Sequence, residues 1–219
     1  GSARSSRTGM SRDARTVAAY DARAGDYAAR FAADRPGRHL AAFMALLPAA
    51  ADVLDLGCGP GDASAFLAAA GHRPDPVDAS SAMVQLARER HGLPARLATF
   101  DDIAAEATYD GVWANFSLLH APREAFPRHL AALFRALRPA GLLHLGLKTG
   151  TGEGRDRLER FYTYVTVPEI TGLLGNAGFA VIATEEGRET GLAGTDAPFV
   201  ILRARRRGRR CRQGRFHAP

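Results

Sequence analysis

A chain of 219 residues is long enough to bury one substantial core. Its 46% hydrophobic fraction and mixed charges suit a globular protein. No apolar run approaches the roughly 18 residues of a membrane span, and the first residues lack the apolar stretch of a secretory signal. Only Cys58 and Cys211 are present, so a disulfide framework is not expected and a cytoplasmic setting is. The net charge of +6 is uneven: eight arginines and no acids lie from Arg203 onward, which leaves the body slightly acidic. Arg205–Arg210 could meet phosphates, but without interleaved aromatics nucleic acid is not the expected partner.

In chain order, Gly1 to Ser11 is polar and expected to be disordered, and the N-terminal segment is placed at 1–15. Helices are predicted over Val17–Phe31 and His39–Leu47, with Tyr20, Tyr27 and Phe31 on one face. Strand Asp52–Leu56 leads to a helix over Asp62–Ala70, strand Pro76–Asp78 to a helix over Ser81–His91, and a third strand covers Ala95–Thr99. A fourth strand, Gly111–Asn115, precedes a helix from Pro127 to Leu137, where a proline suits the first turn. A fifth strand is Leu142–Leu147. Thr166 can cap a helix running to Asn176, with Pro168 in its first turn. Strands Ala180–Thr184 and Phe199–Arg203 close the domain, placed at 16–204, and 205–219 reads as a basic disordered tail. Alternation of strands and helices implies an α/β doubly wound sheet with helices on both faces.

The stretch Val53-Leu54-Asp55-Leu56-Gly57-Cys58-Gly59-Pro60-Gly61 carries the chemistry. A buried strand runs into three glycines spaced two apart, then a helix whose N-terminal N–H groups are unpaired. That geometry suits a nucleoside ligand lying against bare main chain. A dinucleotide fingerprint needs its third glycine where Asp62 stands, and no phosphate loop is present. About twenty residues on, Asp78 ends the second strand, where a carboxylate can accept both ribose hydroxyls.

The pattern D-x-G-x-G-x-G resembles motif I of class I S-adenosylmethionine (SAM)-dependent methyltransferases. Asp78-Ala79-Ser80-Ser81-Ala82-Met83 is similar to that family's "D-x-S-x-x-M". Tyr109-Asp110-Gly111-Val112 resembles its fourth strand, Ser117-Leu118-Leu119-His120 the segment after it, and Leu137-Arg138-Pro139-Ala140-Gly141 its corner before the fifth strand. Thr163 to Phe179 looks like its closing helix and strand. The resemblance implies a Rossmann-like sheet of seven strands, the last inserted antiparallel, beneath an N-terminal helical lid. It implies SAM as cofactor and S-adenosylhomocysteine as product, with Asp55, Gly57, Cys58, Gly59, Gly61, Asp78, Ala79, Met83 and Asn115 at the cofactor and Tyr20 able to reach its carboxylate. In many relatives an Asp ends the third strand, where this chain has Thr99. The Phe100 main chain with Asp101 nearby is expected to meet the adenine instead; the other reading is that Asp101 and Asp102 cap the following turn.

His120 follows strand four and is the candidate catalytic base; the alternative is a histidine satisfying backbone groups. Tyr27, His120, Lys148, Arg155, Tyr162 and Tyr164 are the candidate acceptor-binding residues. The segment from Lys148 to Arg155 reads as a flexible charged loop, and its cations with Arg160 suggest an anionic small-molecule acceptor. Histidine spacing offers no metal site. The expected activity is methyl transfer to a small molecule by a monomer or homodimer. The competing readings are an RNA or protein methyltransferase tethered by the arginine tail, and a non-catalytic SAM-binding module.

Overall fold

The structure is a computed structural model that describes residues 13–30 and 33–208. Helices α1 (Ala14–Ala22), α2 (Ala24–Arg30) and α3 (Arg38–Met44) precede strand β1 (Asp52–Leu56) and α4 (Asp62–Ala69). Then come β2 (Arg73–Asp78), α5 (Ser81–His91), β3 (Arg96–Leu97), β4 (Tyr109–Asn115), α6 (Phe126–Ala136) and β5 (Leu137–Lys148). A hairpin of β6 (Glu153–Arg155) and β7 (Phe161–Thr163) is followed by α7 (Val167–Asn176), β8 (Phe179–Thr190) and β9 (Asp196–Arg206).

Seven strands form one sheet in the order β3-β2-β1-β4-β5-β9-β8. β1, β2, β3, β4 and β5 run parallel, while β9 pairs antiparallel with both β5 and β8. This is the Rossmann-like seven-stranded sheet, last strand reversed, that the sequence predicts. Residues 53 and 54 show why both faces are covered. They point to opposite sides of β1, and both are fully buried. Leu54 joins Phe126, Leu130, Ile170 and Leu174 beneath α6 and α7; Val53 joins Leu40, Phe43 and Leu67 beneath α3 and α4.

Local chemistry sets the helix ends. The Ser80 hydroxyl accepts the Met83 N–H at the start of α5, and Gly92 ends it in the left-handed region at φ +65°. Thr166 and Glu169 cap α7 reciprocally, with proline in the first turn.

Several expectations need correction. The first predicted helix is two, broken at Arg23, and Phe31 lies outside the described residues. The third strand is only two residues long, because Thr99 and Asp102 cap one another around a single 3₁₀ turn at Phe100–Asp102. The segment expected to be a flexible loop contains a hairpin, Glu153–Arg155 paired with Phe161–Thr163. Asp13 caps α1, so its first turn starts inside the segment taken as disordered.

At the other end β9 continues through Arg206, past the boundary placed at residue 204. Arg203 is buried on Glu185. Arg205 donates to the Ala140 and Leu46 carbonyls, and Arg206 lies over Phe134, 4.6 Å from the ring centroid. These three arginines fasten the sheet to its surroundings, which weakens a tether reading of the basic end. Residues 209–219, with Cys211, lie outside the described residues.

Candidate functional site

At the carboxyl ends of β1, β2 and β4 the sheet opens into a cavity, roofed by α1 and α2, with about 810 Å³ of empty space when the open solvent at its mouth is counted. Such crevices at strand ends are where open α/β sheets bind ligands. Its floor is the glycine turn. Gly57 has φ +77°, and a Cβ there would stand 2.4 Å from Ser117 Cβ. Gly61 has φ +90°, and a Cβ would press within 2.9 Å of Ala87 and Leu93. Gly57 and Gly59 line the cavity, and a Cβ on Gly59 would point toward Tyr27, 3.8 Å away. Gly61 instead seats α4 against α5.

Asp78 lines the cavity beside the turn. Its Oδ2 accepts the Gly59 N–H at 2.9 Å and its Oδ1 the Ser80 N–H at 2.8 Å. Burial pushes its pKa up, and these N–H groups pull it back. Ala79, Met83, Thr99, Phe100 and Asn115 line the same cavity.

Besides Gly61, three residues expected at the cofactor do not line it. Cys58 is buried, its thiol pointing back at the Gly59 carbonyl, and burial pushes its pKa up. Asp101 pairs with Arg128 at 2.6 Å, because the cap between Thr99 and Asp102 turns the chain away. Asp55 lies beneath the floor, 2% exposed, and accepts the Ser64 hydroxyl at 2.7 Å.

Burial pushes the Asp55 pKa up to about 7, the Ser64 bond opposing and the Asp78 charge reinforcing it. A raised carboxyl pKa makes stability greatest below the ordinary value of 3.8 and lost as pH rises through about 7. Asp55→Asn keeps an acceptor for Ser64 and cannot ionise. Its thermal midpoint is expected to fall less steeply than the parent's over that window and to exceed it at pH 8. A parental slope surviving in the variant would show that another group causes it.

The roof is tied down on both sides. Asp13 holds Arg155 through two hydrogen bonds of 3.0 and 2.7 Å, and Thr16 Oγ1 accepts the Phe161 N–H at 2.8 Å. On the opposite side Asp21 accepts from the Ser80 hydroxyl at 2.6 Å and the Ala82 N–H at 3.2 Å. Arg155, expected at the acceptor, is thus spent in joining α1 to the hairpin.

Inside the roof an aromatic row runs from Tyr27 to Tyr20 to His120 to Tyr162 to Tyr164, with centroids 4.8–6.1 Å apart. Tyr20, Tyr27 and His120 line the cavity; Tyr162 and Tyr164 stand behind His120. His120 Nδ1 lies 2.6 Å from the Phe161 carbonyl, and Nε2 lies 3.0 Å from the Tyr20 hydroxyl. Because a carbonyl can only accept, Nδ1 carries the proton and Nε2 accepts from Tyr20. Burial pulls the His120 pKa down to about 4. The imidazole is therefore neutral near pH 7, with both nitrogens engaged.

Arg160 completes the network. It is 3% exposed, donates to the Tyr20 hydroxyl at 3.1 Å and is held by Asp156 at 2.6 and 3.0 Å. Lys148 Nζ sits 5.0 Å from the Tyr162 centroid, its pKa lowered by burial and by Arg160. It has no ion pair within 4 Å among the described residues.

Sequence reasoning passed over Ser117, Thr16 and the structural use of Asp13. The Asp13–Arg155 pair joins residues 142 positions apart and has no local signal. The Thr99-x-x-Asp102 cap did have one, a hydroxyl followed three residues later by an acid, and the reading that Asp102 caps the following turn is the one the structure shows. Among the described residues no cluster of histidine, cysteine or carboxylate could hold a metal ion, and no helix is long and apolar enough to cross a membrane.

Residues 53–141 match a family model described as a methyltransferase domain. The chain is 39% identical over 135 residues to a trans-aconitate 2-methyltransferase of Paracidovorax citrulli, covering 58% of this chain and 49% of the relative. A trans-aconitate 2-methyltransferase of Delftia acidovorans is 33% identical over 160 residues, covering 68% and 56%. The chain thus spans about half the length of the curated relatives it matches. A crystal structure of Burkholderia thailandensis 1,6-didemethyltoxoflavin-N1-methyltransferase, with 1,6-didemethyltoxoflavin and S-adenosylhomocysteine bound, superposes with a TM-score of 0.71. It is 25% identical, over 89% of this chain and 88% of that one.

Proposed function

We propose, from the premise that this chain belongs to the class I SAM-dependent methyltransferases, that it methylates a small molecule carrying a carboxylate. The cavity suits SAM on its own features: a bare glycine floor, a carboxylate for the ribose, and the buried, unpartnered Ser117 hydroxyl. Asp78 would hold the ribose, Met83 and Phe100 the adenine, and the glycine turn the chain between sugar and sulfur. When bound, SAM supplies a methyl group already activated on a sulfonium. The residues of this chain then act by positioning, and by keeping water out beneath α1 and α2.

The acceptor class rests on one observation, the engagement of both His120 nitrogens beside two cations, Arg160 and Lys148. An alcohol, a phenol or a protonated amine would gain from a base, and a histidine with a pKa of about 4 that already accepts from Tyr20 is a poor one. A carboxylate arrives ionised and needs none. His120 in this reading locks the Tyr20 side chain, while Lys148 attracts the anion. Trans-aconitate, named in the two curated relatives, is an acceptor of this chemistry.

Labelled methyl transfer from SAM to a panel of di- and tricarboxylates, phenols and amines tests the reading. Turnover is expected with carboxylates, with kcat/KM flat from about pH 6 to 8 because His120 stays neutral there. Lys148→Gln should raise the acceptor KM by about tenfold and leave S-adenosylhomocysteine affinity unchanged. Turnover confined to amines or phenols, rising with pH, would restore His120 as a base.

A further inference from the structure

The carboxyl end of β4 holds two polar side chains that the fold orients without partnering. Trp113 and Asn115 share a face of β4, and the parallel register sets them opposite His144 and Gly146 of β5. His144 is fully buried and stacks on Trp113, with ring centroids 3.8 Å apart and planes 21° from parallel. Its Nε2 lies 3.0 Å from Asn115 Oδ1, and its Nδ1 has no partner. Burial keeps the ring neutral, so it bears a single N–H. A buried orphan N–H is rarer than an unfilled lone pair, which places the proton on Nε2, donating to Oδ1.

That oxygen would stand 2.7 Å from a Cβ built on Gly146, so glycine is what lets the carbonyl edge of the amide tuck against β5. The opposite edge, Nδ2, forms no hydrogen bond among the described residues, and Asn115 lines the cavity. Two residues on, Ser117 lines the same cavity, is 7% exposed, and has an unpartnered Oγ. Phe116 between them adopts φ +55°, an unfavourable conformation for a residue with a Cβ that recurs at ligand sites. Two donors on one wall, with no acceptor in the protein, match an oxyanion.

We infer that the Asn115 amide and the Ser117 hydroxyl bind a ligand carboxylate, with His144 and Gly146 as positioning residues that aim the amide. The inference rests on the methyltransferase reading, under which two carboxylates enter the cavity: the methionyl end of SAM and the acceptor's own.

Titration calorimetry on the full chain separates them. The probes are S-adenosylhomocysteine, 5′-methylthioadenosine (which lacks the amino-acid end), and trans-aconitate added to protein saturated with S-adenosylhomocysteine. Asn115→Asp is nearly isosteric, accepts from His144, and turns an oxygen toward the ligand. It should weaken one carboxylate ligand by at least about tenfold while leaving 5′-methylthioadenosine within about twofold. Loss on S-adenosylhomocysteine assigns the methionyl end; loss on trans-aconitate alone assigns the acceptor. Ser117→Ala should weaken the same ligand, and His144→Phe, which keeps a ring on Trp113, should do so without touching 5′-methylthioadenosine. Unchanged binding of both carboxylates in Asn115→Asp and Ser117→Ala overturns the inference, as does equal loss of 5′-methylthioadenosine. Failure of the parent protein to bind S-adenosylhomocysteine would instead sink the methyltransferase reading itself.

Discussion

Gly57→Ala is expected to lower stability by about 2–5 kcal/mol, from roughly 1–2 for a left-handed alanine and 1–3 for overpacking, and to abolish measurable S-adenosylhomocysteine binding. The backbone at Gly57 has φ +77°, and the new Cβ would lie 2.4 Å from Ser117 Cβ. Ser117 has little room to retreat. It follows Phe116 at φ +55° and starts the 3₁₀ turn that leads to His120. Any relief must therefore move the glycine turn or the end of β4, and both are cavity walls. Thermal midpoint and calorimetric Kd check this. Gly57→Ala paired with Ser117→Gly should recover part of the stability, because the colliding atom is gone. A single variant with parental affinity would show that the turn does not contact the cofactor.

Asp78→Ala should cost at least about a hundredfold in S-adenosylhomocysteine affinity, since hydrogen bonds to a charged group contribute about 1.5–3 kcal/mol each and two are lost. The same change strands the Gly59 and Ser80 N–H groups that the carboxylate now accepts, so the floor loosens too. Asp78→Asn retains one acceptor and should fall between the two. The pH dependence has a definite sign. Burial raises the Asp78 pKa, so the free protein loses stability as pH rises through that value. In the proposed site the ribose hydroxyls would donate best to the ionised form, so affinity should rise over the same window. Opposite slopes of stability and affinity are the expected signature, and Asp78→Asn should remove the affinity slope and the Asp78 share of the stability slope, leaving the share due to Asp55. Parental binding in Asp78→Ala would place the ribose elsewhere.

Much of this architecture could be read from local pattern. β1 shows as an apolar run ending in glycines because a central parallel strand is buried on both sides. The ends of α5 and α7 show because Ser80, Gly92 and Thr166 satisfy helix termini through neighbours a few residues away. Asp78 stands out as an acid closing a short strand before a helix. What escaped was set by contacts distant in sequence. Arg155 looked available for an anion until its partner Asp13 appeared across 142 positions. Arg205 and Arg206 looked like a solvated tail, yet each anchors the last strand. Arginine's long stem lets it pack within a sheet margin while its head finds a carbonyl or a ring. His144 sits within the otherwise apolar run Leu142–Leu147 and has no local explanation; its place appears only when β5 lies beside β4. The hairpin was missed because Gly150, Gly152 and Gly154 read as a loop, whereas Arg123 and Thr163 hold its Glu153.

The central claim is that the cavity between the glycine turn and Asp78 is a SAM site, and titration calorimetry of the parent protein with S-adenosylhomocysteine tests it most directly. Saturable binding at one ligand per chain, accompanied by a rise in thermal midpoint with ligand concentration, is the predicted result. Absence of heat with S-adenosylhomocysteine and with SAM, and no rise in thermal midpoint at millimolar ligand, would contradict it.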